Sequence, residues 1–204
     1  MRKVVLIALF LMFPSTALAD VELNVFAGYR FGGATADPRM FCVFDGCFSL
    51  RVPEEEARDS STRGLVVDVT LKGPWMFELL ISDQSTEFGL ELTRFYDVLI
   101  REEQGVDLTH FHVGILRQWE NPRATPFIGI GVGIAELESP GRFILVPDSD
   151  KDRLSASLAF GVKIAFNKWL GARIEGRGYW TDMPERFTQD LFQVELNSGL
   201  FIRL

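Results

Sequence analysis

The stretch Gln189–Leu204, QDLFQVELNSGLFIRL, decides the fold. From Phe192 onward apolar residues alternate with polar ones, so two sets of side chains fall on opposite faces of an extended chain. One set is Phe192, Val194, Leu196, Leu200, Ile202 and Leu204, and the other is Gln193, Glu195, Asn197 and Arg203. A repeat of two residues is the period of a β-strand and not of a helix. The stretch therefore predicts a strand with one apolar and one polar face.

The same alternation recurs along the rest of the chain and predicts eight strands in all. They cover about residues 21–31, 65–72, 77–82, 109–118, 127–135, 154–166, 170–180 and 192–204. Residues 88–107 fit no single pattern. Their apolar residues change parity, which fits a bulge in a third strand that continues further, whereas residues 94–104 could equally form a short helical turn. Antiparallel strands in chain order predict an all-β, up-and-down barrel.

Alternation alone does not say which face meets the solvent, because a soluble barrel with a polar outside has the same period. The connections favour a transmembrane barrel, since they are long after strands one, three, five and seven and short after the others. Aromatic residues divide in the same way: Trp75, Trp119 and Trp169 adjoin the short turns, and Tyr29, Trp180 and Phe192 lie near the long loops. Two such groups are typical of the aromatic girdles at membrane interfaces. Glycines concentrate on the polar face, which suits a crowded lumen.

The polar faces then predict a charged lumen. Its residues are the acids Glu22, Asp68, Glu78, Glu175 and Glu195 and the bases Arg30, Lys72, Lys163, Arg173, Arg177 and Arg203. An eight-stranded barrel is only wide enough for its own side chains. An unpaired charge in that space would cost several kcal/mol. We therefore expect these residues to pair across the lumen as a plug, in preference to an ion path.

The first 19 residues have the parts of a secretory signal peptide: Arg2 and Lys3, the apolar run Val4–Phe13, and an A-x-A cleavage site at Ala17–Ala19. The apolar run is much shorter than the ~20 residues that a spanning helix needs. Cleavage would leave residues 20–204 as one domain of 204 − 19 = 185 residues. That domain carries 19 basic and 28 acidic residues, a net charge of 19 − 28 = −9, which argues against a nucleic-acid partner.

The two cysteines, Cys42 and Cys47, lie five residues apart in a segment rich in glycine and phenylalanine. In an exported chain this spacing predicts a local disulfide, because a metal site would need more ligands nearby. The acidic run Asp148–Asp152 resembles the start of a calcium loop, but it lacks the following glycine and the closing glutamate. The sequence predicts no metal site and no cofactor.

Several of these features together resemble the small outer-membrane β-barrel families of OmpA, OmpX and OmpW type. They are the signal sequence, the eight alternating strands, the long outer loops and the strand Arg173-x-Glu175-x-Arg177-x-Tyr179. The last eight residues, Asn197–Leu204, also resemble the C-terminal assembly signal of outer-membrane barrels, with Leu204 where phenylalanine is commoner.

The resemblance implies a monomer in the outer membrane of a Gram-negative bacterium, with both termini in the periplasm. It also implies contact with membrane lipid and lipopolysaccharide, and insertion by the barrel assembly machinery. Members of these families stabilise the envelope, act as adhesins, form narrow channels or modify lipid A. Fold and location are therefore implied more firmly than activity.

The enzymatic members use a histidine with a serine and an acid near the outer lipid boundary. This chain has only His110 and His112, both on the polar face of the fourth predicted strand, and neither is followed two residues later by serine. A triad with Ser155 or Ser157 across the barrel is conceivable, but no spacing indicates it. The histidines are better interpreted as lumen residues that hydrogen-bond to Glu78 or Asp68. We expect no enzyme.

The predicted outer loops are unusually apolar for exposed chain, with clusters at residues 40–48, 95–100 and 143–146. Exposed apolar patches commonly mark contact sites, although the same alternation also suits strands that extend above the membrane. The leading hypothesis is a structural role or a partner bound through these loops. A narrow channel for small or apolar molecules is the alternative, and a lipid A-modifying enzyme comes third.

Overall fold

The computed structural model describes residues 20–32, 39–43, 46–51, 60–94, 99–119, 121, 124–138, 152–182 and 190–204. The strands are β1 (Val21–Phe31), β2 (Arg39–Val43), β3 (Gly46–Arg51), β4 (Ser60–Thr70), β5 (Trp75–Arg94), β6 (Leu99–Gln118), β7 (Thr125–Glu138), β8 (Asp152–Ala165), β9 (Leu170–Thr181) and β10 (Leu191–Arg203). The expected signal peptide and most of the apolar and acidic loops lie outside the described residues. Within the described ranges, no helix has the length and apolar character needed to cross a membrane.

Eight of these strands form a closed antiparallel barrel, which confirms the predicted fold class. In the wall, β1, β4, β5, β6, β7, β8, β9 and β10 each pair with the next strand. The first and last strands close the ring, with Glu22 opposite Arg203 and Phe31 opposite Val194. Closure leaves no unpaired edge in the wall, so its backbone hydrogen bonds are satisfied without water.

The remaining two strands, β2 and β3, form a hairpin beyond the wall in the first long connection. β3 continues the sheet by pairing Phe48–Arg51 with Glu91–Arg94 of β5. The sequence predicted turn-forming chain here and a second wall strand that began at Leu65, whereas β4 begins at Ser60. β3 is held in extended form by its pairing with β5, and the first residues of β4 by pairing with β1 and β5, because the ladders satisfy their backbone groups.

The sequence predicted either a bulge or a helical turn in residues 88–107, and both predictions were wrong for the residues that pair in β5 and β6. β5 and β6 pair in one unbroken register from Trp75 opposite Arg117 to Thr93 opposite Leu99. An unbroken register contains no extra residue and therefore no bulge. Beyond the apolar belt, neither face of the paired β5 and β6 has to be apolar. The apolar residues can therefore move from one face to the other within a continuous strand.

The two faces of the wall differ as the alternation predicts. Outward side chains form an apolar belt whose middle is well exposed, with Val25 at 66%, Ile130 at 65% and Phe160 at 61% of full exposure. Inward positions hold most of the charged and polar side chains of the wall, together with a few large apolar ones such as Phe26, Leu80 and Leu116, and most of them are buried. The distribution is the reverse of that in a water-soluble barrel, in which apolar residues fill the interior.

Glycines on the inner face make room for aromatic rings. At Gly64, an added Cβ would lie 2.2 Å from the Ile81 carbonyl oxygen and 2.4 Å from Cζ of Phe26. Phe26 itself is buried against Val66 and Leu80. The ring therefore occupies the volume that any side chain at position 64 would need.

We predict that Gly64→Ala lowers the free energy of unfolding by about 1–3 kcal/mol, the usual cost of overpacking. Gly129→Ala is the matched control on the same inner face, because its added Cβ would meet no atom closer than 3.4 Å. Urea titrations in phospholipid vesicles, followed by tryptophan fluorescence, measure both variants. Equal effects at the two positions would contradict the packing argument.

Candidate functional site in the barrel lumen

The lumen contains a cluster of buried charges. Ten of the eleven residues that the sequence placed in the lumen lie in it: Glu22, Arg30, Asp68, Glu78, Lys163, Arg173, Glu175, Arg177, Glu195 and Arg203. Nine of them are buried, and the Arg203 side chain is 38% exposed at one mouth. Lys72 is the exception: it is exposed and lies beyond the end of β4 at Thr70. Its assignment to the lumen was wrong, because alternation has no meaning in a turn.

Without Lys72 the cluster is electrically balanced. Five carboxylates face four arginines and one lysine, a sum of 5 − 5 = 0 for the described residues in it. Burying ions is costly unless each charge meets an opposite one with good geometry. The balanced count meets that condition.

The middle of the lumen is crossed by a ring of four alternating charges. Glu78 of β5 accepts from Arg173 Nη2 at 2.7 Å and from Arg177 Nη2 at 2.7 Å, using one oxygen for each. Glu175 accepts from Arg177 Nε at 2.6 Å and from Arg173 Nε at 2.8 Å. Arg173, Glu175 and Arg177 are alternate residues of β9, and Glu78 faces them from 95 residues away in the chain. We call these four residues the central ring.

Below the central ring, toward the short turns, Lys163 joins two strands. Its Nζ donates to Glu22 Oε2 at 2.5 Å and to Asp68 Oδ2 at 2.7 Å. Asp68 also accepts from Arg173 Nη1 at 2.8 Å, which connects this group to the central ring. Arg203 donates to Glu22 Oε1 at 2.6 Å.

A cavity of about 530 Å³ opens at this mouth of the barrel. Glu22, Lys163 and Arg203 are among the residues that line it. Of these three side chains, that of Arg203 is 38% exposed and is therefore open to solvent at the short-turn end.

Above the central ring, toward the long loops, Arg30 is the hub. Its Nε and Nη2 donate to Glu195 Oε2 at 3.0 and 2.5 Å, Nη2 also donates to Ser82 Oγ, and Nη1 donates to Gln84 Oε1. A contact of 3.0 Å from Nη1 to His110 Nδ1 completes the set. These five contacts match the five N–H donors of a guanidinium. The ring of Tyr179 lies 4.5 Å from the guanidinium carbon and covers one face of it.

The two histidines lie in the lumen, as the sequence indicated, but not beside the expected carboxylates. His110 Nδ1 faces an arginine that can only donate, so this nitrogen must accept and the proton must be on Nε2. His112 Nδ1 lies 2.9 Å from Ser157 Oγ. The expected hydrogen bonds to Glu78 or Asp68 were wrong. Both oxygens of Glu78 accept from arginines, and Asp68 accepts from Lys163 and Arg173 through Oδ2.

This arrangement does not form a hydrolytic triad. His112 and Ser157 form a pair, but the Nε2 atom of His112 has no hydrogen-bond partner within the described chain, so no acid orients the imidazole. Ser155 instead hydrogen-bonds with Thr181 and with the Trp180 carbonyl. Among the described residues, no group of three or more His, Cys, Asp or Glu side chains could hold a metal ion.

The six residues expected in the aromatic girdles are all exposed on the outside of the barrel: Tyr29, Trp75, Trp119, Trp169, Trp180 and Phe192. In the hairpin beyond the wall, Cys42 and Cys47 are Cα partners in the register of β2 with β3. Their disulfide stays a prediction.

The sequence interpretation missed the neutral members of the cluster. Gln84, Ser82 and Tyr179 surround Arg30 and supply two of its acceptors and one aromatic face. Their strand parity was a usable signal, because Ser82 and Gln84 follow Glu78 at even spacing along β5. Only formal charges were included in the predicted network.

We predict that Glu78→Gln destabilises the barrel by about 3–5 kcal/mol, because an amide can accept from only one of the two arginines and leaves a buried charge uncompensated. Asp83→Asn is the matched control, since Asp83 pairs with the exposed Arg63 at 3.2 Å on the outside. Its effect should stay below about 1 kcal/mol. Urea unfolding in vesicles measures the free energy of unfolding of both variants. Similar losses in the two would show that the central ring stabilises the barrel no more than an exposed ion pair does.

Comparison of the sequence with protein-family models gives no match, and comparison with curated proteins gives none. Solved structures do match. Neisserial surface protein A superposes with a TM-score of 0.59 at 9% identity, over 90% of this chain and 97% of that one. The N-terminal barrel of Pseudomonas aeruginosa OprF (TM-score 0.43, 15% identity, 89% and 96% covered) also matches. So does Yersinia pestis Ail (TM-score 0.43, 15% identity, 90% and 99% covered). The chain has the fold of the small outer-membrane β-barrel proteins.

Proposed function

We propose that this protein is an integral barrel of the outer membrane of a Gram-negative bacterium, that it has no catalytic activity, and that paired charges close its lumen. It acts through its structure or through its surface loops. The single observation that carries the proposal is the inverted wall, with an exposed apolar belt outside and a neutral cluster of ten charged side chains inside.

The belt supports the location. Outward residues such as Ile130, Val132 and Phe160 are more than half exposed, and they form part of a band that continues around the wall. Soluble monomers rarely expose contiguous apolar patches larger than a few hundred Å². Hydrocarbon is the solvent that makes such a surface favourable, and the tryptophans beside the short turns suit the headgroup level.

The cluster supports a closed lumen. From Lys163 near one mouth to Ser157, successive contacts of 2.5 to 3.3 Å connect side chains from opposite sides of the wall. Beyond them, the Arg30 guanidinium lies against the ring of Tyr179, with 4.5 Å from its central carbon to the ring centroid. Arg173 also lies 4.5 Å from the ring centroid of Phe127, which fills the space beside it. A solute would have to break several charge-assisted hydrogen bonds in order to pass.

The long loops are the remaining candidates for a function. The most similar fold named above belongs to a surface protein, and loops on a rigid barrel are where binding residues commonly lie. On this proposal the short turns and both termini are periplasmic, the chain is inserted by the barrel assembly machinery as a monomer, and lipopolysaccharide surrounds the long-loop end. The leader at residues 1–19 and the Cys42–Cys47 disulfide belong to the same proposal.

A narrow channel is the second candidate, and the cavity at the short-turn mouth favours it. Lys163 and Glu22 lie in the wall of that cavity. Among the described residues, the central ring and the Arg30 group lie between it and the long-loop end.

The membrane location predicts that Ile130→Arg, in the middle of the outward face of β7, destabilises the folded barrel in vesicles by about 2–4 kcal/mol. Ser85→Arg is the control, because Ser85 is exposed beyond the apolar part of β5, opposite Asp107 of β6, where the same change should cost less than about 1 kcal/mol. Heat-dependent mobility on gels verifies that both variants fold. A barrel that faces water would tolerate both arginines equally, and that result would exclude the proposal.

The closed lumen predicts that the wild-type protein gives no discrete conductance in planar lipid bilayers. The double variant Arg173→Ala with Glu175→Ala removes one charge of each sign and two large side chains from the central ring, and it should conduct. Arg63→Ala with Asp83→Ala removes an exposed ion pair and should stay silent. Stepwise conductance of the wild type would favour the channel.

A further inference from the structure

A basic side chain lies on the outside of the wall at the short-turn end. Arg117 is the last outward residue of β6 and follows Val113 and Ile115 on the same face. Those two residues are 44% and 48% exposed and belong to the apolar belt. The guanidinium therefore lies where the belt ends, and not in the lumen.

Two indole rings hold this guanidinium. Its central carbon lies 5.6 Å from the ring centroid of Trp75 and 5.3 Å from that of Trp119. Trp75 is the Cα partner of Arg117 across the β5–β6 ladder, and Trp119 follows two residues later on the same face. Both rings are nearly half exposed. A guanidinium that contacts aromatic rings keeps its edge N–H groups available for a further ligand.

Arg117 has no anionic partner within the described part of the chain. The outward Arg63, at the other end of the wall, pairs with Asp83 at 3.2 Å, whereas no carboxylate of the described residues forms an ion pair with Arg117. A second basic residue lies three positions before Trp75: Lys72 is exposed in the turn between β4 and β5. That turn is tied to the wall by the hydrogen bond of 2.8 Å from Leu71 N to the Trp75 carbonyl oxygen.

We propose that Arg117, with Trp75, Trp119 and Lys72, binds the phosphodiester headgroup of an anionic phospholipid. The inference rests on the proposed function, because only a membrane-spanning barrel brings a lipid to this height. A planar guanidinium donates two parallel hydrogen bonds to phosphate oxygens. The indoles are suited to the depth of the headgroups. The extra positive charge of Lys72 favours a net negative headgroup over a zwitterionic one, whose own cation it repels.

Native mass spectrometry of the detergent-folded protein tests the site, with dioleoylphosphatidylglycerol and dioleoylphosphatidylcholine as probes. The wild type should retain phosphatidylglycerol in preference to phosphatidylcholine. Arg117→Gln should weaken phosphatidylglycerol binding about tenfold, as expected when charged hydrogen bonds are lost. Arg117→Lys, which keeps the charge without the planar fork, should fall between the two.

Arg63→Gln is the matched control, because it removes the same charge from another outward arginine and should bind phosphatidylglycerol as the wild type does. Equal loss in both glutamine variants, or no loss in Arg117→Gln, would overturn the site. Displacement of the lipid by millimolar inorganic phosphate would also overturn it, because the site would then select a free anion. A chain that shows no heat-dependent gel mobility and stays soluble without detergent refutes the proposed function itself, whereas a folded barrel without lipid preference refutes only this inference.

Discussion

The pairing of the ten charges of the lumenal cluster is the constraint on which this barrel depends. Ten charged side chains share a space that eight strands make barely wider than the side chains themselves. Charges without partners there would cost several kcal/mol each, so the folded state requires opposite charges from distant strands to meet. The central ring shows how closely they are fitted: two carboxylates and two guanidiniums satisfy one another through both oxygens of each acid.

This constraint ties the ends of the chain together. Glu22 from the first strand of the wall meets Lys163 and Arg203, and Arg30 from the same strand meets Glu195 of the last strand. Backbone pairing of β1 with β10 closes the wall, and the same residues close the lumen from inside. A barrel whose strands were shifted by one residue would place these charges in the apolar belt, so the cluster also selects the register.

The outside of the wall follows a separate rule, set by its solvent. The middle of the belt is apolar, and the charges of its two ends differ. At the long-loop end the outward Arg63 is paired with Asp83, whereas at the short-turn end Arg117 lies against two indole rings and forms no ion pair with a described residue. The two ends of one barrel therefore offer different surfaces to the molecules around them, although their aromatic girdles resemble each other.

The sequence by itself determined the fold class, the number of wall strands and the direction of almost every described side chain in the wall. It did so because side chains alternate between the apolar outside and the polar lumen. Each strand can then be placed with its apolar residues outward in only one way. It also indicated ten of the residues that meet in the lumen. Only the tertiary structure decided which acid meets which base, that Lys72 lies outside the lumen, that His110 and His112 contact Arg30 and Ser157, and that β5 and β6 continue without a bulge. Partners such as Glu78 and Arg177 are 99 residues apart. The sequence period fixes the face of each strand, whereas the closure of the barrel fixes its neighbours across the lumen.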